Sequence, residues 1–183
     1  MILFWSKWSH TDRCGPLHLA ANQTGEKRKA VWRIPGALFW ARLGWVGKSP
    51  VAPGTMATAL VGIPCAWVLA TLPNPAAIGI IILLFVVGCR VAGEAEKQLR
   101  QHDPGEIVID ELIGYLITMI GFPVTVKSFL IGFVAFRIFD IFKPWPVKTL
   151  GEKIKGGPGV VMDDVGAGLY AHALVWLALK LWP

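Results

Sequence analysis

"AAIGIIILLFVVG", Ala76–Gly88, is an apolar run without a single charge. Such a run belongs either in a protein core or in a bilayer. The rest of the chain chooses between them. Of 183 residues, 54% are hydrophobic and only 16% are charged, against about 25% charged in soluble domains. Nine tryptophans add to the apolar surface. A soluble domain of this length needs more polar surface, so the composition predicts an all-α integral membrane helical bundle.

Working outward from that run, five membrane or membrane-embedded segments can be marked. They are Met56–Leu72, with Pro64 a predicted kink, Ala76–Gly93, Ile107–Phe122, Ser128–Phe142 and Val165–Trp182. Several fall short of the ~20 residues that span a bilayer comfortably. The short loops between the first and second, and the third and fourth, favour helical hairpins. The three cysteines, Cys14, Cys65 and Cys89, are scattered and fit neither a disulfide framework nor zinc spacing. Cys65 and Cys89 read as small core residues. The opening "MILFWSKWSH" is too short and interrupted for a secretory signal.

The net charge of +6 could suggest nucleic acid, but its placement points to a membrane. Eight of 18 Lys and Arg precede the first segment. Arg90, Lys97 and Arg100 follow the second, and Lys143, Lys148, Lys153 and Lys155 lie between the fourth and fifth. Only Lys127 and Lys180 fall on the other side, so the N-terminus and both long connections are expected to be cytoplasmic. All twelve carboxylates gather on that same side, which the positive-inside rule does not require.

Three acidic groups share one depth: Asp110 with Glu111, Asp140 in "FRIFDIFKPWP", and Asp163 with Asp164. On helices they fall within roughly 5–8 Å of one membrane level. A continuous helix would also put Asp103, Glu106 and Asp110 on one face. Ionised carboxylates so crowded in apolar surroundings are costly. Either some are protonated or a cation holds them, and hard oxygen ligands beside phosphate suit Mg²⁺. Plainer roles are available: a helix cap for Asp163 or Asp164, and pairing of Asp140 with Arg137 or Lys143.

Two glycine-rich pieces adjoin this level. "GWVGKSPVAPGT", Gly44–Thr55, offers Lys48, Ser49 and Thr55 to a phosphate, although it is not a P-loop. "GGPG", Gly156–Gly159, predicts a tight backbone approach. The small residues Gly166, Ala167, Gly168 and Ala171 predict close helix packing. His172 is expected to be a satisfied packing residue.

Taken together, "SPVAPGT" (Ser49–Thr55), "DPGEIVIDELIG" (Asp103–Gly114), "FRIFDIFKPWP" (Phe136–Pro146) and "GGPGVVMDDVGAG" (Gly156–Gly168) resemble the phosphatidylglycerophosphatase A family. The resemblance covers residues 36–183 and leaves residues 1–35 as a basic N-terminal extension. It implies a Mg²⁺-dependent, multi-pass enzyme of the bacterial inner membrane with its active site facing the cytoplasm. Such an enzyme hydrolyses phosphatidylglycerophosphate to phosphatidylglycerol and phosphate. The chain departs from the family's usual Gly-Ser-Leu-like step after "PGT", reading "MATAL" at Met56–Leu60.

On this basis Glu106, Asp110, Glu111, Asp163 and Asp164 are the expected metal ligands. Asp140 is a further ligand or the base, and Lys48, Thr55, Arg137 and Lys143 are expected to contact substrate phosphate. An aspartyl-phosphate route through Asp110 or Asp140 is the mechanistic rival. An ion pathway is disfavoured because no acidic residue reaches the outer half. A headgroup transferase is disfavoured because the CDP-alcohol transferase signature is missing.

Overall fold

The first helix, α1 (Ala37–Ala41), follows Gly36, whose φ of +71° suits a residue without a β-carbon. The computed structural model describes residues 34–182 apart from His102, so most of the 1–35 extension, with Cys14, lies outside the described residues. Among those described there are helices and no strand. After a tight turn at Val46–Lys48 comes α2 (Pro53–Leu69), which opens on a proline where no N–H is needed. Its middle widens over Thr58–Gly62, just before Pro64. The proline ring removes an N–H and crowds the carbonyl one turn back, and a wide turn relieves both. The irregularity expected at Pro64 is therefore a widened turn.

Helix α3 (Asn74–Leu99) outlasts its apolar stretch, because its final turns are polar. There Glu94 is buried and ion-paired to Lys97 at 3.6 Å. Helix α4 (Ile109–Met119) is shorter than the segment marked for it and lies at the centre. Nine of its eleven residues are buried. At 1.5 Å per residue it covers roughly 16 Å, too little to cross a ~30 Å hydrocarbon layer. It stops because Ile120 turns extended, Gly121 takes φ +78°, and Pro123 follows. Helix α5 (Val126–Phe142) opens on a capping box, with Thr125 and Ser128 bonding reciprocally at 3.1 Å. A short α6 (Val147–Lys153) leads into α7 (Gly157–Leu181).

Helix α7 begins well before Val165, which corrects the expected fifth segment. "GGPG" is its first turn: Gly156 caps it with φ +76°, and Pro158 sits where its missing N–H costs nothing. Asp163 and Asp164 are thus about two turns inside the helix and do not cap it.

Helix α7 is the hub, packing on α3, α4, α5 and α6. The helices meet at close range, and two crossings show this. A β-carbon on Gly157 would come 1.7 Å from the Cys89 carbonyl oxygen on α3. One on Gly168 would come 2.4 Å from the Gly114 carbonyl oxygen on α4, and one on Gly114 would come 2.7 Å from the Asp164 oxygen. Thr118 bridges the same crossing, its hydroxyl 3.0 Å from the Gly114 carbonyl and 3.4 Å from that of Gly168. Tyr115, Phe136, Ala171 and Val175 fill the core below. His172 is a packing residue as read, its Nδ1 3.2 Å from the Ile117 carbonyl and its ring against Phe122.

Among the described residues, two helices, α3 and α7, are long and apolar enough to cross a membrane by length and composition. Large apolar side chains face outward on α3 (Ile82, Leu83), α5 (Leu130, Val134, Ile141) and α7 (Leu169, Trp176, Leu181).

Gly168→Ala is expected to destabilise the fold by about 1–3 kcal/mol, because the clash is with backbone. Gly79→Ala, where nothing lies within 4 Å, should be neutral or slightly stabilising. Thermal unfolding in detergent compares the two. Equal melting temperatures would contradict the tight α4–α7 crossing.

Candidate functional site

Three helices bring charged groups to one end of the bundle, and a fourth closes against them. Asp110 and Glu111 occupy the first turn of α4, where the positive end of the helix dipole favours anions. Asp163 and Asp164 come from α7, and Arg137 and Asp140 from the last turns of α5. Lys143 caps α5 in a left-handed conformation, with φ +40°. The first turn of α2 closes the group through Gly54, which abuts Glu111 and Arg137.

The two acidic pairs are built alike. The Glu111 N–H donates to Asp110 Oδ1 at 3.0 Å, and the Asp164 N–H donates to Asp163 Oδ1 at 3.0 Å. Each bond fixes the first carboxylate of a pair against its own backbone. One carboxylate oxygen each from Asp110, Glu111 and Asp164 then lie within 4.8 Å of one another. Asp110 and Asp164 are buried and Glu111 is half-buried. Glu111 Oε2 and Asp164 Oδ2 are shielded from solvent and make no hydrogen bond within the protein. Asp140 packs against Asp164, and its charge and that of Arg137 both act on Glu111. Arg137 Nη1 is 2.9 Å from Asp140 Oδ2, an ion pair by distance. Its N–H is not aligned for a hydrogen bond, and Nε has no partner either.

This donor set suits a hard divalent cation. All donors are oxygen, no histidine or cysteine is among them, and two buried oxygens are unpartnered. Asp110, Glu111 and Asp164 are the residues that could hold it, and Arg137, whose charge acts on Glu111, is a cation beside them for an anionic ligand.

The other expected residues stand apart from this trio. Asp163 pairs with Lys143 and faces a cavity of about 230 Å³ shared with Asp103 and Lys148. Burial works to lower the Lys143 pKa, but its bond to Asp163 and the charges of Asp163, Asp164 and Asp140 outweigh that and hold it above the usual lysine value. While Asp163 is ionised, the stabilisation contributed by Lys143 is therefore complete below the ordinary lysine pKa and is lost as pH rises through the raised one. Glu106 does not join the trio. The chain before Ile109 is a loop, in which Asp103 has φ +47° and donates its N–H to Glu96 at 2.9 Å. The expected helical face of Asp103, Glu106 and Asp110 does not form, and Glu106 pairs with Arg42 instead. Lys48 is exposed over the Trp45 ring and lines a separate groove with Glu106. Thr55 is half-buried on α2, and the Ser49 hydroxyl is bonded locally to the Val51 carbonyl. Sequence reasoning missed Gly54 and Arg42. The "PGT" that starts α2 was the visible signal for the first, whereas Arg42 carried none.

A sequence model described as phosphatidylglycerophosphatase A matches residues 39–179. The chain belongs to the phosphatidylglycerophosphatase A family. It is 34% identical to "Phosphatidylglycerophosphatase A" of Escherichia coli K12 over 169 residues, covering 92% of this chain and 95% of that protein. A Haemophilus influenzae protein of the same name is 37% identical over 101 residues, covering 55% of this chain and 61% of its own length. A "Putative phosphatidylinositol-3-phosphatase" of Bacteroides thetaiotaomicron is 35% identical over 139 residues, covering 72% and 86%. No solved structure gives a significant match. Phosphatidylglycerophosphatases act on a phosphate monoester, a substrate that an oxygen-only site able to hold a cation, with an arginine beside it, can accommodate.

Asp110→Asn and Asp164→Asn should each lower phosphatase activity by about 100-fold or more. Removing one of several crowded like charges should leave the metal-free melting temperature unchanged or raised. Wild-type turnover in both variants would remove these residues from the site. A large fall in metal-free stability would show their role to be structural.

Proposed function

We propose that this protein hydrolyses the terminal phosphate of phosphatidylglycerophosphate, giving phosphatidylglycerol and inorganic phosphate, with Mg²⁺ held by Asp110, Glu111 and Asp164. Family membership and the name of the Escherichia coli relative support the substrate. The observation that carries the chemistry is the trio of carboxylate oxygens within 4.8 Å, two of its residues each having a buried, unpartnered oxygen. Membership also favours hydrolysis over the ion-pathway and headgroup-transferase alternatives.

When bound, the metal polarises the phosphoryl group and makes water a better nucleophile. The remaining work falls to the chain. Arg137, with buried N–H groups free of hydrogen-bond partners, binds phosphate oxygens and offsets the charge that develops on them. Asp140, between Arg137 and Asp164, takes the proton of the attacking water. Water adds to phosphorus, the ester P–O bond breaks, and the proton passes on to the departing glycerol oxygen. Lys143 holds Asp163 and keeps the start of α7 in register with the end of α5.

The outward apolar faces of α3, α5 and α7 support a multi-pass membrane bundle, with the central α4 enclosed by its neighbours. The Lys and Arg distribution supports a cytoplasmic site in the inner membrane of a bacterium. A lipid substrate then keeps its acyl chains between helices while its headgroup reaches the carboxylates.

Purified protein should release phosphate from phosphatidylglycerophosphate in detergent. EDTA should abolish this and Mg²⁺ restore it. Full activity in EDTA contradicts the metal centre. Faster release from phosphatidylinositol 3-phosphate would reassign the headgroup to that named for the Bacteroides relative. A phosphoenzyme trapped on Asp110 or Asp140 would replace direct attack by water with a covalent route.

A further inference from the structure

Gly54 is buried in the first turn of α2 and contributes no ligand atom to the carboxylate trio. A β-carbon at this position would stand 2.0 Å from Glu111 Oε1, 2.8 Å from its Cδ and 3.2 Å from Arg137 Nη1. Its backbone is helical and lies outside the positive-φ region, so space, and not conformation, requires glycine. The turn that carries it is fixed. Pro53 stiffens its start, and the wholly buried Thr58 donates its hydroxyl to the Gly54 carbonyl at 2.9 Å. Glu111 is the movable partner, since Oε2, the carboxylate oxygen not facing Gly54, makes no hydrogen bond.

We propose that Gly54 is a positioning residue: the bare backbone of the first turn of α2 is the stop against which the Glu111 carboxylate rests, aiming it at Asp110 and Asp164. This rests on the Mg²⁺ site proposed above. It differs from the glycines of the α4–α7 crossing, where an added methyl would meet backbone and the whole helix would have to shift. At Gly54 the obstacle is the far end of a flexible side chain. Gly54→Ala therefore displaces a ligand at little cost to the fold, and metal binding and stability separate.

The test is a Mg²⁺ titration of the melting temperature of the purified full-length protein, run beside phosphate release. Wild type should show a Mg²⁺-induced upshift. Gly54→Ala should keep its metal-free melting temperature within a few degrees, while the Mg²⁺ concentration giving half the upshift rises about tenfold or more. In a Glu111→Asp background the side chain is one carbon shorter and clears the new methyl. Adding Gly54→Ala there should shift the midpoint no further. A wild-type midpoint in Gly54→Ala overturns the proposal. So does a fall in metal-free stability with an unchanged midpoint, or additive midpoint shifts for the two substitutions. If wild type itself shows no upshift, the metal site fails and the proposal falls with it, a result visible before any substitution is made.

Discussion

Crowding of like charges at one end of an apolar bundle is the constraint on which the other features depend. Two unit charges 4.8 Å apart repel by about 3–4 kcal/mol even at an effective dielectric constant near 20. Three carboxylates make three such pairs, with Asp140 and Asp163 close behind. A fold that keeps this arrangement must compensate it, and the compensation is visible residue by residue. Asp163 is neutralised by Lys143, Asp140 by Arg137, and Asp110 sits at the positive end of α4. What is left without an internal partner is one face of Glu111 and Asp164. In the proposed function, a divalent cation held there offsets this repulsion, so the crowded carboxylates become its binding site.

Holding that arrangement demands that helices approach closely, and glycine provides the means. Gly114 and Gly168 let α4 and α7 meet at backbone distance, which sets Asp110 and Glu111 opposite Asp164. Gly157 presses the start of α7 onto α3, fixing its height. Between bulkier helices the carboxylate oxygens would lie farther apart and a single cation could not reach all three. The apolar exterior and the charged interior are thus linked through the same few contacts.

Much of this was legible in the sequence, for identifiable reasons. Helices α2, α3, α5 and α7 follow from long apolar runs bounded by Pro and Gly, and the small-residue stripe on α7 does mark a close crossing, that with α4. Asp110, Glu111 and Asp164 stand out because carboxylates inside apolar runs are costly. The misplaced residues are those whose position depends on tertiary contacts. Periodicity put Glu106 on a helical face, but Asp103 adopts a left-handed turn and Arg42, distant in sequence, captures Glu106. Lys48 lies within "GKSPVAPGT", a stretch that offers charge and hydroxyls to a phosphate, yet its ammonium packs on Trp45. Conversely "PGT" marks Gly54 in the sequence, but the close approach that requires glycine there forms only where α2 meets Glu111. The start of α7 was misread because Gly-Gly-Pro-Gly, usually a loop, here forms a helical first turn.

In the proposed function, Asp110, Glu111 and Asp164 together hold a catalytic cation. Anomalous diffraction from crystals grown with Mn²⁺ in place of Mg²⁺ tests it most directly. The account predicts a peak bounded by one oxygen from each of those three carboxylates, with Asp140 and Arg137 beside it. A peak only at Asp163 and Asp103, or none at the trio in protein that remains active with Mn²⁺, would contradict it.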